Sequence, residues 1–281
     1  MSSVTASLGA ARTRVSASPT PQLDAELLLA QALGCRRTRL HAWPEAEVAS
    51  QARARFDILL QRRAAGEPVA YLLGEREFWS LALEVTPDVL IPRPETETLV
   101  AAVLEDDGVR AATSPRLLDV GTGSGCIALA LAQERPDAAT TAVEQAAATL
   151  AVARRNVARH GQGNIECLAG HWFTPLEGRR FEAIIANPPY VASADPHLQS
   201  GDVRFEPTGA LDGGPDGLDA LRAITAKAPA HLASNGLLAV EHGADQGAVV
   251  AQLLASAGLV DVACRADAAG LDRVTLGRVI R

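Results

Sequence analysis

Between Pro21 and about Gly66 apolar residues recur every three or four positions. In "PQLDAELLLAQALG" the spacing sets Leu23, Leu27 and Ala30 on one helical face, and Gly34 supplies a stop. In "EAEVASQARARFDILLQRRAAG" Val48, Ala52, Phe56, Leu59 and Leu60 repeat the pattern up to Gly66. The two runs predict a small helical bundle. From Phe78 the period drops to two: "FWSLALEV" alternates Leu81, Leu83 and Val85, and a Pro-Asp turn leads into "VLIP". These runs predict a connecting β-hairpin. The expected division is therefore a helical domain over 1–74, a hairpin linker over 75–92 and a third region over 93–281.

Beyond Pro94 strand and helix alternate. "RLLDVG", "AATTAVE", "NIECLAG", "FEAIIANPPY", "NGLLAVEHG", "LVDVACRA" and "DRVTLGRVI" read as strands; "SGCIALALAQERP", "QAAATLAVARRNVARHG" and "DQGAVVAQLLASAG" read as helices. Such alternation predicts parallel crossovers and a doubly wound, mostly parallel α/β sheet. The short turn before the last strand predicts that this strand is antiparallel. No internal repeat is present.

Three segments carry candidate chemistry. The first is "LLDVGTGSG", in which Gly121, Thr122, Gly123, Ser124 and Gly125 follow a strand and open a helix. Glycines there let backbone approach a ligand, and the helix start offers free amide hydrogens. A dinucleotide fingerprint needs glycine at 126, where Cys126 stands, so a nicotinamide enzyme is disfavoured. The GxGxG pattern after an acidic strand end looks like the S-adenosylmethionine loop of methyltransferases, or else a glycine-rich turn without a ligand. The second is Glu144, at the tip of the next strand. A carboxylate there can accept both ribose hydroxyls, or it is a solvated strand-end acid. Trp172, in "AGHWF", lies by the adenine or in the core.

The third is the elbow "ANPPY". Pro188 and Pro189 cannot continue a central strand and hold the chain extended. The Asn187 side-chain oxygen and the Pro188 carbonyl form a pair of acceptors that matches the two hydrogens of a planar NH2 group. Tyr190 can cover that group's flat face. The alternative is a plain Asn-Pro turn. Fixing a delocalised amide nitrogen against an activated methyl is a task for alignment and transition-state hydrogen bonding.

Composition narrows the classes. With 281 residues, 48% of them hydrophobic, the chain can build two cores. The formal net charge is −7, and residues 81–281 hold sixteen basic against twenty-five acidic side chains, whereas residues 1–80 hold ten against eight. An acidic catalytic half disfavours a nucleic-acid enzyme. Cys35, Cys126, Cys167 and Cys264 form no CxxC pair, so neither a metal site nor a disulfide framework is expected. The first nineteen residues lack a long apolar core and read as an amphipathic helix or a transit-like segment. No stretch approaches a membrane span. Cytoplasmic residence with no membrane partner is the expectation, and nothing requires an oligomer.

From about Pro21 onward the sequence resembles the PrmC/HemK family, the protein-(glutamine) N-methyltransferases that modify peptide-chain release factors. The likeness rests on "GEPVAYLLGEREFWSLALEVTPDVLIPRPETE", "LLDVGTGSGCIALALA", "ANPPYV", "DVRFEPTGALDGGPDGL", "AVEHG" and "DRVTLGR", in that order. It implies a helical N-terminal substrate-recognition domain, a hairpin and a Rossmann-like methyltransferase domain. It also implies S-adenosylmethionine as cofactor, S-adenosylhomocysteine as product, and methyl transfer to the glutamine of the release-factor GGQ loop. By that resemblance Gly121 to Gly125, Glu144, Trp172 and Asn187 contact the cofactor, and Asn187, Pro188, Pro189 and Tyr190 hold the glutamine. Glu144 departs from the family's usual aspartate. The alternative reaction is methylation of an exocyclic adenine or cytosine amine. A non-catalytic cofactor-binding adaptor is disfavoured by the presence together of loop, acid and elbow. Arg93, His242 and the loop over 192–217 carry no assigned role.

Overall fold

The computed structural model describes residues 2–280, so Met1 and Arg281, the ends of the expected domains, lie outside it. The chain divides into two compact units: residues up to Glu75 together with Ser200–Phe205, and Arg76–Gln199 together with Glu206 onward.

The smaller unit contains helices α1 (Val4–Arg14), α2 (Pro21–Leu33), α3 (Arg37–Ala42), α4 (Ser50–Ala64) and α5 (Val69–Leu73). Ser3 caps α1 by accepting from the Ala6 amide. Gly34, at φ 62°, ends α2 in the left-handed region. On α4, Phe56 and Leu60 face inward as the spacing predicts. On α2 the buried face differs from the expectation. It keeps the expected Ala30 and adds Ala25, Leu28, Leu29 and Ala32, while Leu27 is half-buried and Leu23 exposed. The cause is polar: Asp24 is buried and accepts from Arg63 Nε at 2.6 Å, from Ser18 Oγ at 2.7 Å and from Thr20 Oγ1 at 2.8 Å. Arg63 also reaches Asp202 at 2.7 Å, which ties the segment Ser200–Phe205 into this unit.

A two-stranded hairpin, β1 (Glu75–Phe78) and β2 (Leu81–Glu84), follows. Its turn is Trp79–Ser80, with φ of 50° and 61°; two successive positive φ values match the twist of a two-residue hairpin. Leu81–Glu84 thus pairs with the chain before it. The "VLIP" run is irregular, contrary to the expected pairing. Phe78, Leu81 and Leu83 enter the core of the larger unit.

The larger unit continues with α6 (Glu97–Leu104), α7 (Asp107–Ala111), β3 (Arg116–Val120), α8 (Cys126–Glu134), β4 (Ala139–Glu144), α9 (Ala147–His160), β5 (Ile165–Ala169) and β6 (Phe181–Ala186). It ends with α10 (Asp219–His231), β7 (Leu232–Glu241), α11 (Gly247–Ser256), β8 (Val260–Ala266) and β9 (Asp272–Arg278). The seven-stranded sheet has the order β5-β4-β3-β6-β7-β9-β8. β9 is antiparallel to both neighbours, as its short approach predicts, and β3 to β7 are parallel. Alternate residues feed two cores. Leu117, Ala183, Ile185, Leu237 and Ala239 face one side, while Leu118, Ile184, Ala186, Leu238 and Val240 face the other. The strand-and-helix alternation does not reveal helix α10, since Pro229 sits in its last turn. Its buried Leu221, Ile224, Thr225 and Ala228 nonetheless keep helical spacing.

Candidate active site

Sheet register assembles the site. Val120 of β3 pairs with Val143 of β4 and with Ala186 of β6. The next residue on each strand is Gly121, Glu144 or Asn187. Three segments separated by up to 66 residues in sequence therefore emerge side by side at one sheet edge. Chain order reverses across β3, with β4 on one side and β6 on the other, and open α/β sheets bind ligands at such a switch point. A cavity lies there, lined among others by Gly121, Glu144, Trp172, Asn187, Pro188 and Arg93.

The glycine loop is tightly determined. The amides of Gly121 and Thr122 both donate to the Val143 carbonyl, at 2.9 and 3.0 Å. Gly121 has φ 77°, and a Cβ there would lie 3.1 Å from Trp172 Cζ3. The indole is thus laid over bare backbone at the cavity wall. Thr122, Gly123 and Ser124 also line the cavity. Gly125 does not; at φ 86° it faces Ala153 of α9, with 3.6 Å between Ala153 Cα and a Cβ placed there, so it serves helix packing. Buried Asn156 fixes the end of the loop by donating to the Ser124 carbonyl at 2.9 Å and accepting from the Glu84 amide at 2.7 Å. A polar residue on an otherwise amphipathic helix gave no sign of this role in the sequence.

Glu144 is nearly buried. It accepts from the Gly123 amide at 3.2 Å and the Ala146 amide at 3.0 Å, one on each oxygen. Each carboxylate oxygen keeps a further lone pair, so the acid can still receive hydroxyls from the cavity. Asp119, fully buried, accepts from Thr122 Oγ1 at 2.6 Å and the Ala128 amide at 3.2 Å, both on Oδ2. Its Oδ1 has no partner. Burial outweighs these bonds and pushes its pKa up to about 7. An acid whose folded pKa is raised contributes stability that is fully present below its unfolded value and is lost as pH rises through the folded one. The stability of the wild type relative to Asp119→Asn should therefore fall between the ordinary value of 3.8 and about 7 and stay level above. Denaturant titrations of both proteins across that range check this; a flat difference would contradict it.

At the elbow, Asn187 Nδ2 donates to Thr96 Oγ1 at 3.1 Å, which leaves Oδ1 as the amide's other end. Asn187, Pro188 and Pro189 line the cavity; Tyr190 does not. Its phenol donates to Glu241 Oε1 at 3.1 Å, and burial raises its pKa. Tyr190 is partly buried against the core, with its hydroxyl drawn to a buried carboxylate. The backbone of the elbow is held by the loop after it. Val191 and Gly213 exchange bonds with their neighbours across a short parallel bridge to Asp212. A Cβ on Gly217, at φ 75°, would lie 2.4 Å from the Tyr190 carbonyl. Only glycine fits that approach, which gives "LDGGPDG" a structural reason.

Other residues complete the rim. Arg93 pairs with Glu206, whose side chain is fully buried and also accepts from the Ile91 amide at 3.0 Å. This joins two segments of the cavity wall, one through Pro92 and one through Pro207, Gly209 and Ala210. Nothing in "DVRFEP" marks Glu206 for this role, because its partners Ile91 and Arg93 lie far away in the chain. His242 is structural: wholly buried, it meets Thr275 Oγ1 and the Gly243 carbonyl, each at 2.8 Å, and burial lowers its pKa. Among the described residues no helix is long and apolar enough to cross a membrane.

A glycine loop, a tip acid and an Asn-Pro-Pro elbow around the switch point of this sheet define a Rossmann-like methyltransferase. Solved structures share the fold. A methyltransferase from Pyrococcus furiosus matches with TM-score 0.55 at 18% identity, over 79% of this chain and 98% of that one. The hMettl16 catalytic domain, solved in complex with an RNA hairpin, matches with TM-score 0.58 at 18% identity, over 79% and 82%. Residues 7–74 match the PrmC N-terminal domain, and residues 96–202 the methyltransferase small domain. The release factor glutamine methyltransferase of Pseudomonas aeruginosa is 51% identical over 93% of this chain and 94% of its own length. That of Escherichia coli K12 is 44% identical over 94% and 95%. The chain belongs to the release factor glutamine methyltransferase family.

Proposed function

We propose that the protein transfers a methyl group from S-adenosylmethionine to the side-chain amide nitrogen of the glutamine in the GGQ motif of peptide-chain release factors. The observation that carries this is the register that lines up Gly121, Glu144 and Asn187 over one cavity. The residues fit the cofactor. Gly121 to Ser124 offer close backbone, Glu144 offers acceptors for ribose hydroxyls, and Trp172 offers a flat apolar face beside them. When bound, S-adenosylmethionine supplies a methyl group activated by a positively charged sulfonium.

The chain's own residues then act on the glutamine. Asn187 Oδ1 and the Pro188 carbonyl each accept one hydrogen of the side-chain NH2, which orients the nitrogen. As nitrogen density moves into the new bond the N–H groups become more acidic, so both hydrogen bonds strengthen in the transition state. No general base is assigned; the proton lost afterwards is acidic enough to pass to water. The cavity wall of prolines, Pro92, Pro188, Pro189 and Pro207, keeps that geometry stiff. The helical unit recognises the release factor outside its GGQ loop.

The experiment is mass spectrometry of a purified release factor after incubation with the protein and S-adenosylmethionine. One added methyl on the GGQ glutamine is expected. An unmodified release factor together with methylated adenine or cytosine in supplied DNA would overturn the reading.

A further inference from the structure

Charge is sparse and sorted along the cavity wall. Among the described residues that line it, Asp88, Glu144 and Arg93 are the charged ones. The two acids lie toward β4 and α9. Glu144 ends β4, and the Asp88 carbonyl accepts from Thr149 Oγ1 of α9 at 2.7 Å. Arg93 lies on the elbow side. Its carbonyl accepts from the Thr96 amide at 3.1 Å, and Thr96 Oγ1 accepts from Asn187 Nδ2.

Arg93 is also held firmly. Pro94 follows it and keeps its backbone extended, at φ −102° and ψ 143°. One end of its guanidinium donates to the carboxylate of Glu206, which is fully buried and is itself fixed by the Ile91 amide at 3.0 Å. Yet 33% of the Arg93 side chain stays exposed. A guanidinium carries five donors in a planar fork, so the pair with Glu206 orients the group and leaves donors for a ligand.

We propose that Arg93 binds the carboxylate at the amino-acid end of S-adenosylmethionine. The inference rests on the reading of this cavity as the cofactor site. The sulfonium has three substituents, and two of them have places on the wall already. Glu144 takes the ribose, and Asn187 marks where the methyl meets the substrate nitrogen. The third is a short carbon arm that ends in the cofactor's one anionic group. Arg93 is the cation that lines the cavity, and it adjoins the elbow, where the sulfonium must lie for transfer. Its planar fork matches a carboxylate. Glu206 offsets the guanidinium charge, so the wall presents hydrogen-bond donors without repelling the sulfonium.

Calorimetric titration of the full chain without release factor tests this with two probes. S-adenosylhomocysteine carries the amino-acid arm; methylthioadenosine shares adenine, ribose and sulfur but lacks the carboxylate. Arg93→Met should weaken S-adenosylhomocysteine binding about 10- to 100-fold through lost charge-assisted hydrogen bonds, and should leave methylthioadenosine binding within about threefold. Arg93→Lys keeps the charge without the fork and should fall between. In steady-state kinetics with release factor, the Arg93→Met loss should appear in cofactor KM, with kcat within about threefold of wild type. An unchanged dissociation constant for S-adenosylhomocysteine overturns the inference and would direct Arg93 to the protein substrate. An equal loss for both probes overturns it too, since Arg93 would then only brace the wall. Arg93→Met leaves the buried Glu206 carboxylate without its counter-ion. If thermal melts show that it does not fold, the double variant Arg93→Met with Glu206→Gln is compared with Glu206→Gln alone, by the same titrations and criteria. A wild type that binds neither probe would instead remove the cofactor reading beneath.

Discussion

Asn187→Ala should reduce methyl transfer to the release factor by about a hundred- to a thousandfold, while cofactor affinity stays within about tenfold. The asymmetry follows from position. Asn187 follows β6 directly, and its backbone is set by strand pairing through Ala186, which the substitution leaves intact. The glycine loop and Glu144 are built on β3 and β4 and do not depend on the Asn187 side chain. What disappears is one of two oxygens that hold the substrate nitrogen, together with the bond to Thr96. Loss of a preorganised transition-state partner typically costs about 3–4 kcal/mol. Single-turnover kinetics with labelled cofactor, paired with calorimetric cofactor titration, measure both quantities. Near-normal turnover would contradict the clamp, and a parallel collapse of cofactor binding would show that the residue acts mainly on the cofactor.

Glu144→Ala should do the reverse, weakening S-adenosylmethionine binding by about a hundredfold, or ~2.7 kcal/mol, with kcat at saturation changed far less. Each charge-assisted bond to a ribose hydroxyl is worth about 1.5–3 kcal/mol. The carboxylate also organises the loop by accepting the Gly123 and Ala146 amides. Glu144→Gln keeps one carbonyl acceptor and should fall between. Glu144→Asp restores the shorter acid usual in the family and tests whether the longer side chain here is matched to its own loop. Equilibrium binding of the cofactor to the three variants decides; an unaltered dissociation constant for Glu144→Ala would remove the ribose assignment.

The parts legible in the sequence were those in which one residue type has one physical use. The consecutive apolar pairs Leu117-Leu118 and Ile184-Ile185 announced strands buried on both faces. Gly121 and the paired prolines announced backbone that must be bare or stiff. The hidden parts depended on partners far away in the chain. Asp24 on the inner face of α2 misled the helical pattern because its counter-ion, Arg63, lies two helices later. The hairpin was paired with the wrong neighbour because "EREF" is charged and its turn uses Trp79 and Ser80 instead of glycine or asparagine. Helix α10 is obscured by Pro229 in its last turn, a residue that removes one amide donor from the helical ladder. The partner of the Tyr190 hydroxyl, Glu241, is visible only through sheet register. Thr96 was hidden for the same reason. Its partner on the elbow lies 91 residues away.

The central claim is a clamp of two oxygens, and a crystal structure of the protein with S-adenosylhomocysteine and a release factor measures it directly. The account predicts the glutamine side-chain nitrogen within about 2.7–3.2 Å of both Asn187 Oδ1 and the Pro188 carbonyl, with Asn187 Nδ2 still on Thr96. A glutamine held elsewhere, or an Asn187 oxygen turned to bulk water while the cofactor site is filled, would contradict it.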